Sequence, residues 1–230
     1  LSHFTSKVRT YSTADAKVIL EATSKTDLPV DLGIWISGDH KENHLEIQRA
    51  LKLLEQYPDN IANVIVGNET LLRADLNEEE LFAYIDFVAE FTNKPITCAE
   101  TWDVWERIPD LAKHVDFITI HILPYWEKVP IDRFNDFIIE KYTLVEKLFP
   151  YTKINIGETG WPSHGYNNNN AVPSLKNQAV AIRGFINLAS EKGWDYNIVE
   201  AFDQQWKGYD EGNVGQYWGI FTSDRELKFY

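Results

Sequence analysis

The chain of 230 residues contains no methionine and one cysteine, Cys98. A single thiol excludes an internal disulfide framework and a cysteine-based zinc site. Within Pro95-Ile-Thr-Cys-Ala99 it reads as a small buried hydrophobe of a strand. Glycine (12) and proline (9) are too few for a collagen-like or low-complexity chain. No run approaches the roughly 18 apolar residues that a membrane span needs. Positive charge is also scarce: 22 Lys and Arg stand against 35 Asp and Glu, a net charge of -13. Such a surface repels nucleic-acid phosphates and anionic lipid, so neither is an expected partner, whereas a neutral substrate is compatible. Without methionine, Leu1 is not an initiator residue, and residues 1–5 lack the charged-then-apolar pattern of a signal peptide.

What the chain does have is aromatic residues, 13% of the total with 8 Trp, which excludes a disordered chain. Short apolar runs alternate with amphipathic stretches along the whole length. The runs are Val8-Arg-Thr-Tyr11, Val30-Asp-Leu-Gly-Ile-Trp-Ile36, Ile61-Ala-Asn-Val-Ile-Val66, Ile96-Thr-Cys-Ala99, Val115-Asp-Phe-Ile-Thr-Ile-His-Ile122, Lys153-Ile-Asn-Ile-Gly157 and Tyr196-Asn-Ile-Val199. Helical periodicity runs through residues 45–54, 130–149 and 178–189. Asn77 with Glu80 three residues on predicts a capping box, and Glu78 to Glu80 suit the first turn of that helix. Ser174 predicts an N-cap and Gly193 a helix terminator. Strands alternating with helices at this spacing imply βα units with parallel pairing. No linker-like shift in composition divides the chain, so residues 1–230 are expected to form one domain. The polar tract Asn167 to Asn170 reads as an exposed loop.

In a parallel barrel the carboxyl ends of all strands share one face, where active sites form. The runs end in Val66-Gly-Asn-Glu69, His121-Ile-Leu-Pro-Tyr125-Trp126, Gly157-Glu158-Thr-Gly-Trp161 and Val199-Glu200-Ala-Phe-Asp203. Tyr11, Trp35, Trp102 and Trp206 add to the aromatics near such ends. Carboxylates beside aromatics suit a sugar, whose ring faces stack on Trp and Tyr and whose hydroxyls need hydrogen bonds. Glycosidic cleavage needs a carboxyl pair, one protonated to serve the leaving oxygen and one ionised as nucleophile or base. A lone Glu at a strand end is more commonly solvated or ion-paired. Two of them in glycine-containing turns on different strands carry more weight.

Val66-Gly-Asn-Glu69 together with Gly157-Glu-Thr-Gly-Trp-Pro-Ser163 resembles the family 17 glycoside hydrolases, which act on β-1,3-glucan as hydrolases or glucanosyltransferases on a (β/α)8 barrel. Leu32-Gly-Ile-Trp-Ile-Ser37, Glu200-Ala-Phe-Asp-Gln-Gln-Trp206 and Tyr217-Trp-Gly-Ile-Phe221 resemble its bacterial branch. The resemblance extends over residues 8–229. It implies an α/β fold of the (β/α)8 TIM-barrel type and a retaining enzyme, with Glu69 as acid/base and Glu158 as nucleophile. It implies substrate contacts from Asn68, which matches a residue that bonds the sugar 2-OH, and from Tyr125 and Tyr11. Glu200 matches a carboxylate that varies between branches and either holds the nucleophile or meets substrate. His121, Trp35, Trp126, Asp203 and Trp206 are further expected substrate contacts. Trp161 is either a stacking platform or a packed turn residue. No cofactor and no metal are implied, and the expected partner is β-1,3-glucan or a gluco-oligosaccharide. Location outside the cytoplasm, periplasmic or secreted, follows from the resemblance alone.

Competing readings are a catalytically weak glucan-binding barrel and a metal-dependent hydrolase. His40 and His44 have the i, i+4 spacing of a helical metal pair, but no third ligand accompanies them. Glu100 reads as an ion-pair partner of Arg9. Matching the first run to the family's second strand leaves no first strand. The first βα unit is therefore expected to be absent from this chain, in keeping with a length below the roughly 250 residues of a full barrel.

Overall fold

The computed structural model describes residues 3–26, 28–209 and 211–229. All seven expected strands form: β1 (Val8–Arg9), β2 (Val30–Ile34), β3 (Ile61–Asn68), β4 (Ile96–Thr101), β5 (Ile118–His121), β6 (Ile154–Thr159) and β7 (Asp195–Ile198). They follow one another in sequence order in a seven-stranded sheet, with β1–β2, β2–β3, β3–β4 and β6–β7 paired parallel. Helices fill the crossovers: α1 (Thr13–Thr23), α2 (His40–Gln56), α3 (Glu78–Ala89), α4 (Trp102–Arg107), α5 (Phe134–Leu148) and α6 (Leu175–Lys192). This is the α/β class and the strand order of the (β/α)8 barrel that the sequence leads one to expect.

The chain gathers into two compact units. One comprises the stretch up to Ile120 together with Leu148–Ile154, and the other comprises His121–Lys147 and the stretch from Asn155 onward. In the first unit every residue of β2 is buried, as expected of a parallel strand covered on both faces. Gly33 in this strand lies so close to its neighbour that a Cβ atom there would stand 2.2 Å from the Thr10 carbonyl oxygen. Asn77 accepts from the Glu80 N–H while the Glu80 carboxylate accepts from the Asn77 N–H, completing the capping box of α3. Cys98 is fully buried in β4, and burial pushes its thiol well up from the usual range.

In the second unit the five residues of β6 from Asn155 to Thr159 are all buried. Ser174 caps α6 by accepting from the Asn177 N–H, and Gly193 ends it in the left-handed conformation. The helix expected from Pro130 begins later. Pro130 leads into a 3-10 turn, Ile131–Arg133, and the α-helix follows from Phe134. The 167–170 tract is a tight exposed hairpin closed by reciprocal bonds between Asn168 and Ala171.

Candidate active site

The first unit carries Glu69. β3 ends through Gly67 at φ +83°, and Glu69, the residue directly after the strand, has φ +53°, so both fall on the positive-φ side. For glutamate this conformation is strained, and such strain of roughly 1–3 kcal/mol gathers at functional positions. The Glu69 N–H donates to the Ala99 carbonyl at 2.7 Å, which anchors the turn on β4. Glu69 itself is part-exposed. Two arginines brace the residue before it. Arg9 Nη2 donates to Asn68 Oδ1 at 2.6 Å, and Arg73 Nη1 donates to the Asn68 carbonyl. Arg73 also donates to the Ile36 carbonyl at 3.1 Å and lies 4.4 Å over the Trp35 ring. Arg9 lies 4.7 Å over Tyr11. Arg9, Tyr11, Trp35, Asn68 and Glu69 therefore form one cluster, and Arg73 is the member that sequence reading missed. Glu100 is fully buried, and its carboxylate accepts from the N–H groups of Leu71 (2.7 Å) and Leu72 (3.3 Å), holding the turn after Glu69.

The second unit carries Glu158. It lies at the end of β6, 8% exposed, with Oε1 3.5 Å from His121 Nε2. The His121 side chain is fully buried at the end of β5. The Ile122 N–H donates to the Glu158 carbonyl at 2.9 Å, fixing the strand end. Glu200 follows β7 and is equally buried. Lys207 Nζ reaches its Oε2 at 2.7 Å, Gln204 donates to the same oxygen, and Oε1 has no hydrogen-bond partner among the described residues. Burial outweighs the Lys207 ammonium and pushes the Glu200 carboxyl up to about 7, with small additions from Glu211 and Glu158. Glu200 thus holds its proton through the acidic range, which spares Glu158 a second buried negative charge. Gln204 lies within the Glu200–Trp206 motif, whereas Lys207, just past it, is again a contact that no motif announced.

The aromatics of this unit divide into exposed and packed. Trp206 is 61% exposed and Trp126 36% exposed, the latter tilted over Trp218 at 5.8 Å. Tyr125 is buried, edge-on to Trp126, with its hydroxyl donating to the Tyr166 carbonyl at 2.7 Å; burial raises its phenol. Trp161 and Asp203 both have their polar groups bonded within the fold. Trp161 has no exposed face: it packs edge-on against Tyr125 and Phe134 and its indole N–H donates to the Val172 carbonyl, so it is the packed turn residue and not a stacking platform. The Asp203 carboxylate is engaged within the fold. It receives Lys228 Nζ at 2.6 Å and the Gly219 N–H at 3.0 Å, and the side chain is 7% exposed. Neither partner is visible from the local sequence.

His40 and His44 start α2, as expected of a polar helix start. His40 bonds the Tyr84 hydroxyl at 2.9 Å and approaches Glu80 at 3.7 Å, while His44 Nδ1 lies 2.5 Å from the His40 carbonyl.

Two clusters, each pairing a strand-end glutamate with aromatic and polar neighbours, define the chemistry available. The BtgE/BtgC glycoside hydrolase domain matches residues 1–219. The chain belongs to the BtgE/BtgC glycoside hydrolase family. Its relatives include glucan 1,3-beta-glucosidases of Arthroderma benhamiae, 30% identical over 96% of this chain and 78% of the relative, and of Schizosaccharomyces pombe, 28% identical over 100% and 77%. Among solved structures, the glycoside hydrolase family 17 beta-1,3-glucanosyltransferase from Rhizomucor miehei is similar at 27% identity and TM-score 0.89, covering 97% of this chain and 84% of that one. An active-site mutant of the same glucanosyltransferase was solved with laminaritriose. The resemblance to family 17 read from the two glutamate motifs is borne out, and this BtgE/BtgC member has the barrel-type fold of those enzymes.

Proposed function

We propose that this glycoside hydrolase cleaves β-1,3-glucan with retention of configuration, through a covalent glycosyl-enzyme. The Glu158 carboxylate forms a bond to the anomeric carbon as the bond from that carbon to the leaving oxygen breaks. Glu69 delivers its proton to that oxygen. In the second step Glu69 takes a proton from the incoming hydroxyl, whose oxygen bonds the anomeric carbon and frees Glu158. A water acceptor gives hydrolysis and a sugar hydroxyl gives glucanosyl transfer. Retention requires the two carboxyls to work about 5 Å apart.

The observation that carries this reading is the pairing of the two glutamate motifs with a family whose relatives bear the names glucan 1,3-beta-glucosidase and beta-1,3-glucanosyltransferase. The environments of the two carboxyls support the division of roles. Glu158 is buried and oriented by His121, as suits a nucleophile, whereas Glu69 is part-exposed, as suits a group that trades protons with successive acceptors. Exposed Trp126 and Trp206 offer faces for pyranose rings. Because a glucan polymer does not cross membranes, action outside the cytoplasm goes with this reading; fractionation of the producing cells tests it. Among the described residues no helix is long and apolar enough to cross a membrane.

Incubation with linear β-1,3-gluco-oligosaccharides, followed by product mass and linkage analysis, tests the activity. Products longer than the substrate mean transfer, and only shorter ones mean hydrolysis. Binding without any product would leave a glucan-binding barrel and overturn the catalytic reading, and an inverted anomer in the first product would overturn retention.

A further inference from the structure

Glu69 stands at the head of a short turn in the first unit. Its carbonyl accepts from the Arg73 N–H at 2.9 Å, the Thr70 carbonyl from the Asp75 N–H at 3.1 Å and the Leu71 carbonyl from the Ala74 N–H at 3.2 Å. The N–H groups of Leu71 and Leu72 come too early in this turn to reach a carbonyl inside it. Leu71 is buried, where an unmet donor is unfavourable. The acceptor comes from Glu100, near the end of β4. Its Oε1 accepts from the Leu71 N–H at 2.7 Å, and its Oε2 from the Leu72 N–H at 3.3 Å.

Glu100 is fully buried, and burying a carboxyl is unfavourable unless its hydrogen bonds compensate. Each of its oxygens serves one N–H, which a carboxylate does with both oxygens and an amide with only one. Its neighbour in β4, Ala99, accepts the Glu69 N–H at 2.7 Å. Two consecutive residues of one strand therefore hold the chain on either side of the Glu69 α-carbon, one by its backbone and the other by its side chain. Thr70 adds a tie toward β2, its hydroxyl donating to the Ile36 carbonyl at 3.2 Å. Glu69 needs such a hold, because at φ +53° a glutamate persists only where its surroundings over-determine it.

A proton donor must come within hydrogen-bond reach of the leaving oxygen, and a displacement of about 1 Å costs up to about 10²-fold in rate. Rotation about the Glu69 φ swings the whole side chain, so a small relaxation of this turn moves the carboxyl by that much. We propose that Glu100 is a positioning residue for the reaction. By gripping the Leu71 and Leu72 N–H groups it keeps the Glu69 backbone left-handed, and so aims the Glu69 carboxyl at the leaving oxygen. Glu100 acts through Glu69 and exchanges no proton itself. The proposal rests on the acid/base role given to Glu69 above.

Glu100→Gln keeps the shape of the side chain but turns one accepting oxygen into an NH2 group that faces a backbone N–H. Wild type and variant are compared on two substrates. Linear β-1,3-gluco-oligosaccharides have a leaving hydroxyl that needs a proton, whereas a dinitrophenyl β-glycoside of the same glucan has a leaving group that needs none. The expected result is a fall of about thirtyfold in kcat on the gluco-oligosaccharides with KM held within about twofold, and a dinitrophenolate burst slowed by less than about threefold. Should Glu100→Gln not fold, Glu100→Asp, which keeps both accepting oxygens but retracts them by one methylene, decides by the same pair of substrates. Equal losses on both substrates, or no loss on either, overturn the positioning role while leaving the activity standing. Glu69→Gln is the control for the reading underneath: equal losses there mean that Glu69 is not the proton donor, and the proposal falls with it. A wild type that converts neither substrate overturns the activity itself.

Discussion

The turns that carry Glu69 and Glu158 achieve local order by opposite means. At Glu69 the backbone is strained into the left-handed region, and two arginines, Arg9 and Arg73, brace the adjacent Asn68 from a part-exposed surface. At Glu158 the strand is fully buried and no left-handed residue is needed, and the neighbours are a histidine and a second carboxyl held protonated by burial. One turn is cationic and partly wet, the other apolar and acidic. Environments this different suit the two different roles proposed for these identical side chains.

The sharpest way to break the comparison is to remove the charge at Glu158. Glu158→Gln should lower kcat by at least about 10³-fold and prevent trapping of a covalent glycosyl-enzyme by mass spectrometry. Substantial turnover in this variant would show that the buried turn is not where the bond to carbon forms. Glu69→Gln should be nearly as damaging on unactivated glucan, by about 10²–10⁴-fold. With an aryl glycoside whose leaving group needs no proton, its first step should persist and a burst should be seen. Absence of any burst would contradict a proton-donor role.

Smaller effects test what supports each turn. Arg73→Ala removes the brace on the Asn68 carbonyl and the cation over Trp35, and should reduce kcat/KM by about tenfold without unfolding the chain. Equal loss in an Arg73→Lys variant would point to the planar, forked geometry rather than to charge. The Glu200 carboxyl tests the acidic turn through stability. Its native value of about 7 stands above the usual 4.5, so between those limits the unfolded chain ionises while the folded one does not. Stability is then full below about pH 4.5, falls as pH rises to about 7 and levels off, a loss of roughly 3 kcal/mol from this group alone. Urea titrations across this range should show that fall in wild type and a flatter profile in Glu200→Gln. Parallel profiles would mean that the Lys207 ammonium, not burial, governs this carboxyl.

The strands and the main helix ends were legible because they depend on local signals. Asn77 and Glu80, Ser174, and Gly193 each bond within a few residues of themselves, and each occupies the place its spacing predicts. α1 escaped notice because two of its four buried positions, Thr13 and Thr23, are polar, which blurs the apolar stripe. The site was legible in its strand-end residues and illegible in their partners. Asp203 is tied by Lys228, 25 residues on, and Trp161 is covered by Tyr125 and Phe134 from other elements. Arg73 follows Glu69 by four residues, yet nothing in Leu71-Leu-Arg-Ala-Asp75 signals that its side chain turns back to Asn68 and Trp35. Chemistry at a strand end is written in the strand, whereas its support comes from segments whose proximity only the fold creates.

The contact of Gly33 with Thr10 bears on how such enzymes can be diversified. Any side chain at position 33 would drive into a backbone carbonyl 2.2 Å away, and backbone, unlike a flexible side-chain tip, cannot swing aside. Trp35, 38% exposed beyond the strand, has room for other side chains, though a change there gives up its contact with Arg73. Position 33 admits no second letter, so changes of specificity along this strand must begin two residues further on.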